Sequence, residues 1–285
     1  MKKVIVRREK QTMMRRILNV LSSRAQRRLE RIRTAPIRIH HKFRPSTQVS
    51  NGEFTWKYST PTRETWVRAK TMFTKEPKTI DWLNTLPSKG TLWDIGASVG
   101  CFSLYAAKSR NAEVVSFEPM ASTYSVLEEN IHLNNLGSYI FPFCVAFSDK
   151  TNIGQLYLTS RVAGTSEHSV SEHISNLDNR AFISSQSSIT YTVDEFVKSF
   201  NLRIPTFIKI DVDGTEAKIF DGAYETLRQP TLQSILVEID ERDEISFREV
   251  LKLLNTANFQ VECRTPLKKG SENTMFNYIF SRKFI

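Results

Sequence analysis

Leu92-Trp93-Asp94-Ile95-Gly96-Ala97-Ser98-Val99-Gly100 decides how this chain is read. An apolar run breaks at two glycines, and a helical pattern follows over 99–109. That order predicts a strand, a tight turn and a helix. Further strand-like runs are Val114–Glu118, Ile140–Phe147, Thr206–Val212 and Ser234–Asp240, and helical patterns occupy 121–134, 215–228 and 243–257. Apolar strands alternating with helices predict an α/β fold with a doubly wound, mostly parallel sheet. Two last runs, Gln260–Arg264 and Met275–Ser281, are joined by a polar linker with Pro266 and Gly270. They predict an antiparallel hairpin at the sheet edge and bring the strands to seven.

An open α/β sheet binds its ligand beyond the carboxyl ends of its strands. Gly96 and Gly100 leave room for a close approach to the backbone there. The dinucleotide spacing G-x-G-x-x-G is not met, because Ser98 and Cys101 stand where its later glycines belong. Asp94 repels a pyrophosphate and attracts a ligand carrying an ammonium and a sulfonium. Glu118, in Phe117-Glu118-Pro119, lies 24 residues after Asp94, near the offset of about 20 at which an acid accepts from ribose hydroxyls.

With these motifs the chain resembles the FkbM-type S-adenosylmethionine-dependent methyltransferases. The resemblance is carried by residues 93–104, Phe117-Glu118-Pro119, and Lys209-Ile210-Asp211-Val212-Asp213-Gly214-Thr215-Glu216. Asn130, Asn134, Ala146 to Asp149, Thr192 to Phe196 and Asn277 to Phe280 agree with it, so it spans about residues 75–281. It implies a Rossmann-like class I methyltransferase fold, bound S-adenosyl-L-methionine and a hydroxyl acceptor on a sugar, glycolipid or secondary metabolite. Cofactor contacts are then expected at Asp94, Gly96, Ala97, Ser98, Gly100, Glu118, Pro119, Ala146 and Phe147. The chain departs from the pattern at Ser98, where Asn is frequent, and at Asp213, where Glu is frequent.

Lys209, Asp211 and Asp213 alternate on one face of their strand and are the expected catalytic set. A lysine inside an apolar strand needs partners, and Asp211 and Glu238 are the natural ones. Asp211 then reads either as the base that takes a hydroxyl proton or as one member of a structural ion pair. A divalent metal on Asp211, Asp213 and Asp240 is a third reading, and the leading expectation is metal-independent. His168 and His173 are further candidate bases, in a Ser/Asn/His-rich segment, 150–190, that reads as a structureless acceptor-side loop.

Upstream, residues 53–59 and 65–72 alternate as a hairpin would, turning at Pro61-Thr62, and 77–86 reads as a helix opened by Pro77. The charge is unevenly spread. The whole chain carries +10, but residues 1–45 hold 15 Lys/Arg and two acids, whereas the other 240 residues are net −3. Met14, Ile17, Leu18, Leu21, Ala25, Leu29 and Ile32 make a helical apolar stripe among the arginines. Residues 1–45 therefore read as a basic amphipathic arm before a methyltransferase domain at 46–285. The arm reads either as a surface-binding helix for an anionic membrane or as a helix docked on the body. Three scattered cysteines and no long apolar run predict a cytoplasmic protein, peripheral on the inner face of a membrane if the arm binds lipid. Two rival functions are a nicotinamide-dependent oxidoreductase and a nucleic-acid binder or modifier led by the arm. The first is disfavoured by the broken glycine spacing and the second by the acidic body.

Overall fold

In a computed structural model, two units are distinguished, Met1–Pro45 and Ser46–Ile285. The described residues are 23, 27, 28, 45–166, 168–170, 182–267 and 274–283. Ser23, Arg27 and Arg28 are helical, and the rest of the arm's expected helix lies outside the described residues. Among the described residues no helix is long and apolar enough to cross a membrane.

The seven-stranded sheet contains β3 (Thr91–Ile95), β4 (Glu113–Phe117), β5 (Ile140–Phe143), β9 (Phe207–Ile210), β10 (Ser234–Asp240), β11 (Phe259–Pro266) and β12 (Met275–Arg282). Their order is β11-β12-β10-β9-β3-β4-β5, with β12 antiparallel to both neighbours and the other pairs parallel. The fold is thus the expected doubly wound α/β sheet with an antiparallel edge hairpin. Alternation along the strands feeds two cores. Leu92, Val114, Phe207 and Leu236 pack on one face, while Trp93, Val115, Ile208 and Ile235 pack on the other.

The first core is covered by α2 (Pro77–Thr85), α3 (Cys101–Arg110) and α4 (Ala121–Leu133). The second is covered by α5 (Val193–Phe200), α6 (Glu216–Asp221), α7 (Tyr224–Leu227) and α8 (Glu244–Thr256). The single helix expected over 215–228 is therefore two short ones. Asp194 fixes the second, accepting from the Glu225 and Thr226 backbone N–H groups at 2.8 Å each.

Two upstream and inserted segments differ from the sequence reading. The hairpin is formed by β1 (Ser46–Ser50) and β2 (Thr55–Ser59), and the run after Pro61 is helix α1 (Arg63–Thr71). Thr62 decides this: its hydroxyl accepts from Thr65 N while Thr65 Oγ1 accepts from Thr62 N, a reciprocal cap at the helix start. Asn130 then anchors the hairpin, its Oδ1 accepting from Ser59 N at 2.7 Å and its Nδ2 donating to Val99 O at 2.8 Å.

The segment 150–190 is not the structureless loop expected. β7 (Asn152–Leu158) and β8 (Ser184–Tyr191) pair antiparallel, and β8 pairs with β6 (Ala146–Phe147) to make a second, three-stranded sheet. The run Ile140–Phe147 is accordingly divided between the two sheets.

Candidate active site

The turn from β3 to α3 crosses the carboxyl edge of the sheet. Gly96 has φ +80, and a Cβ there would stand 2.0 Å from the Asp211 carbonyl oxygen. Glycine is therefore required there by the chain's own backbone after β9. Glu118, just past β4, ties the turn to its neighbour. Its Oε2 accepts from Ser98 N at 3.0 Å and its Oε1 from Met120 N at 2.8 Å. Burial pushes this carboxyl up to about 7, against the pull of those two bonds and of Arg68.

These elements border a cleft. One part of its lining is apolar, from Ile95, Phe117, Met120, Phe147 and Leu156, and another is acidic, from Glu118, Asp211 and Asp213. Phe117 and Phe147 meet edge to face at 4.7 Å and both pack on Phe196. Contacts of this kind are worth about 0.5–1.5 kcal/mol each and hold that wall rigid.

Among the residues expected at the cofactor, Gly96, Ser98, Glu118, Pro119, Ala146 and Phe147 line the cleft, as do Asp211 and Asp213 from the catalytic set. Asp94, Ala97, Gly100 and Lys209 do not. Asp94 is 1% exposed and faces Ser103, whose hydroxyl donates to it at 2.5 Å. Burial raises its carboxyl although Lys209 and Ser103 oppose the shift.

Lys209 is buried in β9, with its Nζ 2.7 Å from Asp211 Oδ2 and 4.0 Å from Asp94 Oδ1. Its second partner is thus Asp94 and not Glu238, with which it makes no ion pair among the described residues. Register explains the exchange: Lys209 stands opposite Asp94 on β3 and opposite Leu236 on β10, two residues short of Glu238. Burial alone would raise the Asp211 carboxyl, but the Lys209 ammonium holds it below its ordinary range. Asp213 is pushed the other way, to about 7, by burial and by the Asp211 charge. It accepts from the His168 backbone N–H at 3.1 Å. The third acid of the metal reading, Asp240, is paired with Arg242 at 2.5 Å and lies outside the cleft lining.

His168 also lines the cleft, its Nε2 3.1 Å from Thr165 Oγ1. Burial and the nearby Arg68 lower its pKa to about 4, so the imidazole is neutral at physiological pH. Among the described residues its Nδ1 and the Ser98 Oγ are buried polar atoms without a hydrogen-bond partner, and both belong to cleft-lining residues. His173 lies outside the described residues. Sequence reasoning missed Arg68 and Met120 as lining residues, whereas Thr165 and Ser166 come from the segment it expected on the acceptor side. Arg68 was hidden because its helix read as a strand. Its Nε donates to Gly164 O at 2.6 Å, which fixes the 160–166 loop over the cleft.

Residues 94–261, more than half of the chain, match the model of the Methyltransferase FkbM domain. The chain belongs to this family. The FkbM match takes in the end of β3 and all of β4 and β9, the strands whose ends build the cleft. The chain is 27% identical over 172 residues to the hexuronic acid methyltransferase AglP of Haloferax volcanii. That match takes in 60% of this chain and 64% of the relative, so the chain spans less than two thirds of the relative's length. Among solved structures, it is similar to the methyltransferase FkbM of Methylobacillus flagellatus, with 14% identity, 75% and 53% coverage of the two chains, and a TM-score of 0.47. A precorrin-6y C5,15-methyltransferase of Geobacter metallireducens gives 15% identity, 76% and 93% coverage, and a TM-score of 0.45. The frequent Asn of FkbM proteins at the position of Ser98 has a backbone reason here. Ser98 has φ 51, a left-handed conformation that Asn adopts more readily than most residues.

Proposed function

We propose that this FkbM protein transfers a methyl group from S-adenosyl-L-methionine to an oxygen of a sugar-containing acceptor. The observation that carries the reading is the cleft itself. It joins an apolar wall, the acid Glu118 at the end of β4, and two buried polar atoms without protein partners among the described residues. The last point fits a polar ligand, since buried polar groups are otherwise nearly always satisfied. Family membership and the hexuronic acid methyltransferase relative support the same reading.

Bound S-adenosyl-L-methionine would supply a methyl group already activated by a sulfonium. Glu118 would receive the ribose hydroxyls, because two backbone N–H bonds leave lone pairs free on its carboxylate. Ile95, Phe117, Met120 and Phe147 offer an apolar surface to a flat base. Transfer to a hydroxyl needs a proton acceptor, and Asp213 suits that role better than Asp211. A base works best with a pKa near the operating pH, which Asp213 has, whereas Asp211 is already neutralised by Lys209. Lys209 positions Asp211 and does not itself reach the cleft. The basic arm accords with a peripheral place on an anionic membrane, which vesicle co-sedimentation with and without residues 1–45 would test.

The test combines binding with transfer. Wild-type protein should bind S-adenosylhomocysteine by calorimetry, and Glu118→Ala should bind it at least about tenfold more weakly while keeping its circular dichroism spectrum. Methyl-labelled cofactor supplied with host glycan, lipid and small-molecule fractions should label a sugar-containing product. Failure of the wild type to bind S-adenosylhomocysteine, or labelling confined to fractions without sugar, overturns the reading.

A further inference from the structure

Beside the cleft, and sharing Arg68, Thr165 and Ser166 with it, lies a second and wider groove. Its charge is opposite in sign to that of the cleft. One wall is the exposed face of α1, where Arg63, Val67 and Thr71 recur at four-residue spacing beside Arg68, and Lys75 follows. The facing wall is Thr159, Ser160 and Gly164 to Ser166, all small and rich in hydroxyls. Among the described residues, Glu64 is the only acid in the lining, against Arg63, Arg68 and Lys75.

Arg68 stands at the junction. Its Nε is used by Gly164 O, and among the described residues neither terminal guanidinium nitrogen has a protein partner. Arg63 makes no ion pair among the described residues. Lys75 pairs with Glu76 at 3.5 Å, an arrangement that leaves its ammonium mostly in solvent. The remaining edge of an arginine fork is suited to an oxyanion, which it binds through paired charge-assisted hydrogen bonds.

We propose that this groove is the acceptor site and that the acceptor is an acidic sugar, carrying a carboxylate or phosphate that Arg68, Arg63 and Lys75 receive. The proposal rests on the methyltransferase reading above and adds the substrate class and the residues that select it. Placing the oxyanion at Arg68 sets the sugar at the mouth of the cleft. Asp213 lines that cleft, which the groove meets at Arg68, Thr165 and Ser166. The division of charge serves both ligands: acids surround the cationic cofactor and cations surround the anionic acceptor.

The experiment is a calorimetric titration of the full-length protein saturated with S-adenosylhomocysteine. The probes are a glucuronic acid-terminated disaccharide, its glucose-terminated counterpart, and a glucose 6-phosphate-terminated one. The expected result is at least about tenfold tighter binding of an acidic probe than of the neutral one, weakened by added salt. The phosphate and carboxylate arms show which oxyanion is preferred. Arg63→Gln combined with Lys75→Gln should remove most of that preference while leaving S-adenosylhomocysteine affinity intact. Equal affinity for acidic and neutral probes, or no binding of either acidic probe, overturns the proposal. Absence of S-adenosylhomocysteine binding in the wild type would instead overturn the underlying methyltransferase reading, so the two failures are distinct.

Discussion

Lys209 Nζ lies 2.7 Å from Asp211 Oδ2, and the lysine side chain is only 2% exposed. The pair closes the carboxyl end of β9 directly beneath the cleft, with the Phe102 ring 5.1 Å from the ammonium. Removing one partner of a buried pair leaves an uncompensated charge, at a cost of about 3–5 kcal/mol. Lys209→Met should show that full loss, because it strands both Asp211 and Asp94. Asp211→Asn should cost less, since Asp94 at 4.0 Å still faces the lysine. Urea denaturation midpoints check the order. An Asp211→Asn protein as stable as wild type but inactive would return Asp211 to the role of base.

The assignment of the base to Asp213 has its own consequence. Asp213→Asn should lower kcat/KM by about 10²–10⁴-fold while S-adenosylhomocysteine affinity changes little. In the wild type, kcat/KM should rise with pH through a limb near about 7, where Asp213 gives up its proton. Transfer rates measured from pH 5 to 9 check both statements. A limb that persists unchanged in Asp213→Asn would assign the titration elsewhere.

The sheet was legible because apolar strands alternate with helices at regular spacing, and Ser234–Asp240 coincides with β10 residue for residue. The second sheet was not, for a physical reason. β8 reads Ser-Ser-Gln-Ser-Ser-Ile-Thr-Tyr, so its alternation is carried by small polar residues such as Ser188 and Thr190, which are buried. A hydrophobic pattern does not register them. The site was legible where it rests on single strand ends, as at Glu118. It was not where separate segments converge: Arg68 reaches the cleft from a helix whose cap, Thr62 with Thr65, read as a turn leading into a strand. Asp94 shows the converse error, since a residue at a strand end can point into the sheet's own cover.

Five carboxylates raised by burial, Asp94, Glu118, Asp213, Glu216 and Glu238, set the pH dependence of the ligand-free protein. Burial raises Glu118 and Asp213 to about 7 and Glu216 to about 8. Each holds its proton more tightly folded than unfolded. The native state therefore binds more protons between the ordinary carboxylate range and about pH 7–8, and stability falls as pH rises through that window. Asp211 is shifted the opposite way, and its contribution is lost only as pH falls below its ordinary range. Each fully differential proton is worth about 1.4 kcal/mol per pH unit. The urea midpoint should therefore drop between about pH 5 and 8. Glu216→Gln, which keeps an acceptor for the Gly214 N–H, should flatten the slope.

The 160–166 loop is held down by backbone contacts that need a glycine. Gly164 has φ +84, and a Cβ there would meet Thr65 Cγ2 at 2.8 Å and Thr65 N at 3.0 Å. Its N–H donates to Thr123 Oγ1 at 3.0 Å, while the neighbouring Ala163 carbonyl accepts from Thr62 Oγ1 at 2.8 Å. Gly164→Ala thus combines a disfavoured conformation with a clash against helix α1, and should cost about 1–3 kcal/mol locally. Because Gly164 O also holds Arg68, the loss should extend to both ligand spaces. Hydrogen exchange should speed up over 160–166 and the start of α1. KM for the acceptor should rise more than the dissociation constant of S-adenosylhomocysteine, because Glu118 and the β3–α3 turn are left in place. Unchanged exchange in Gly164→Ala would mean that the loop is not held by this contact.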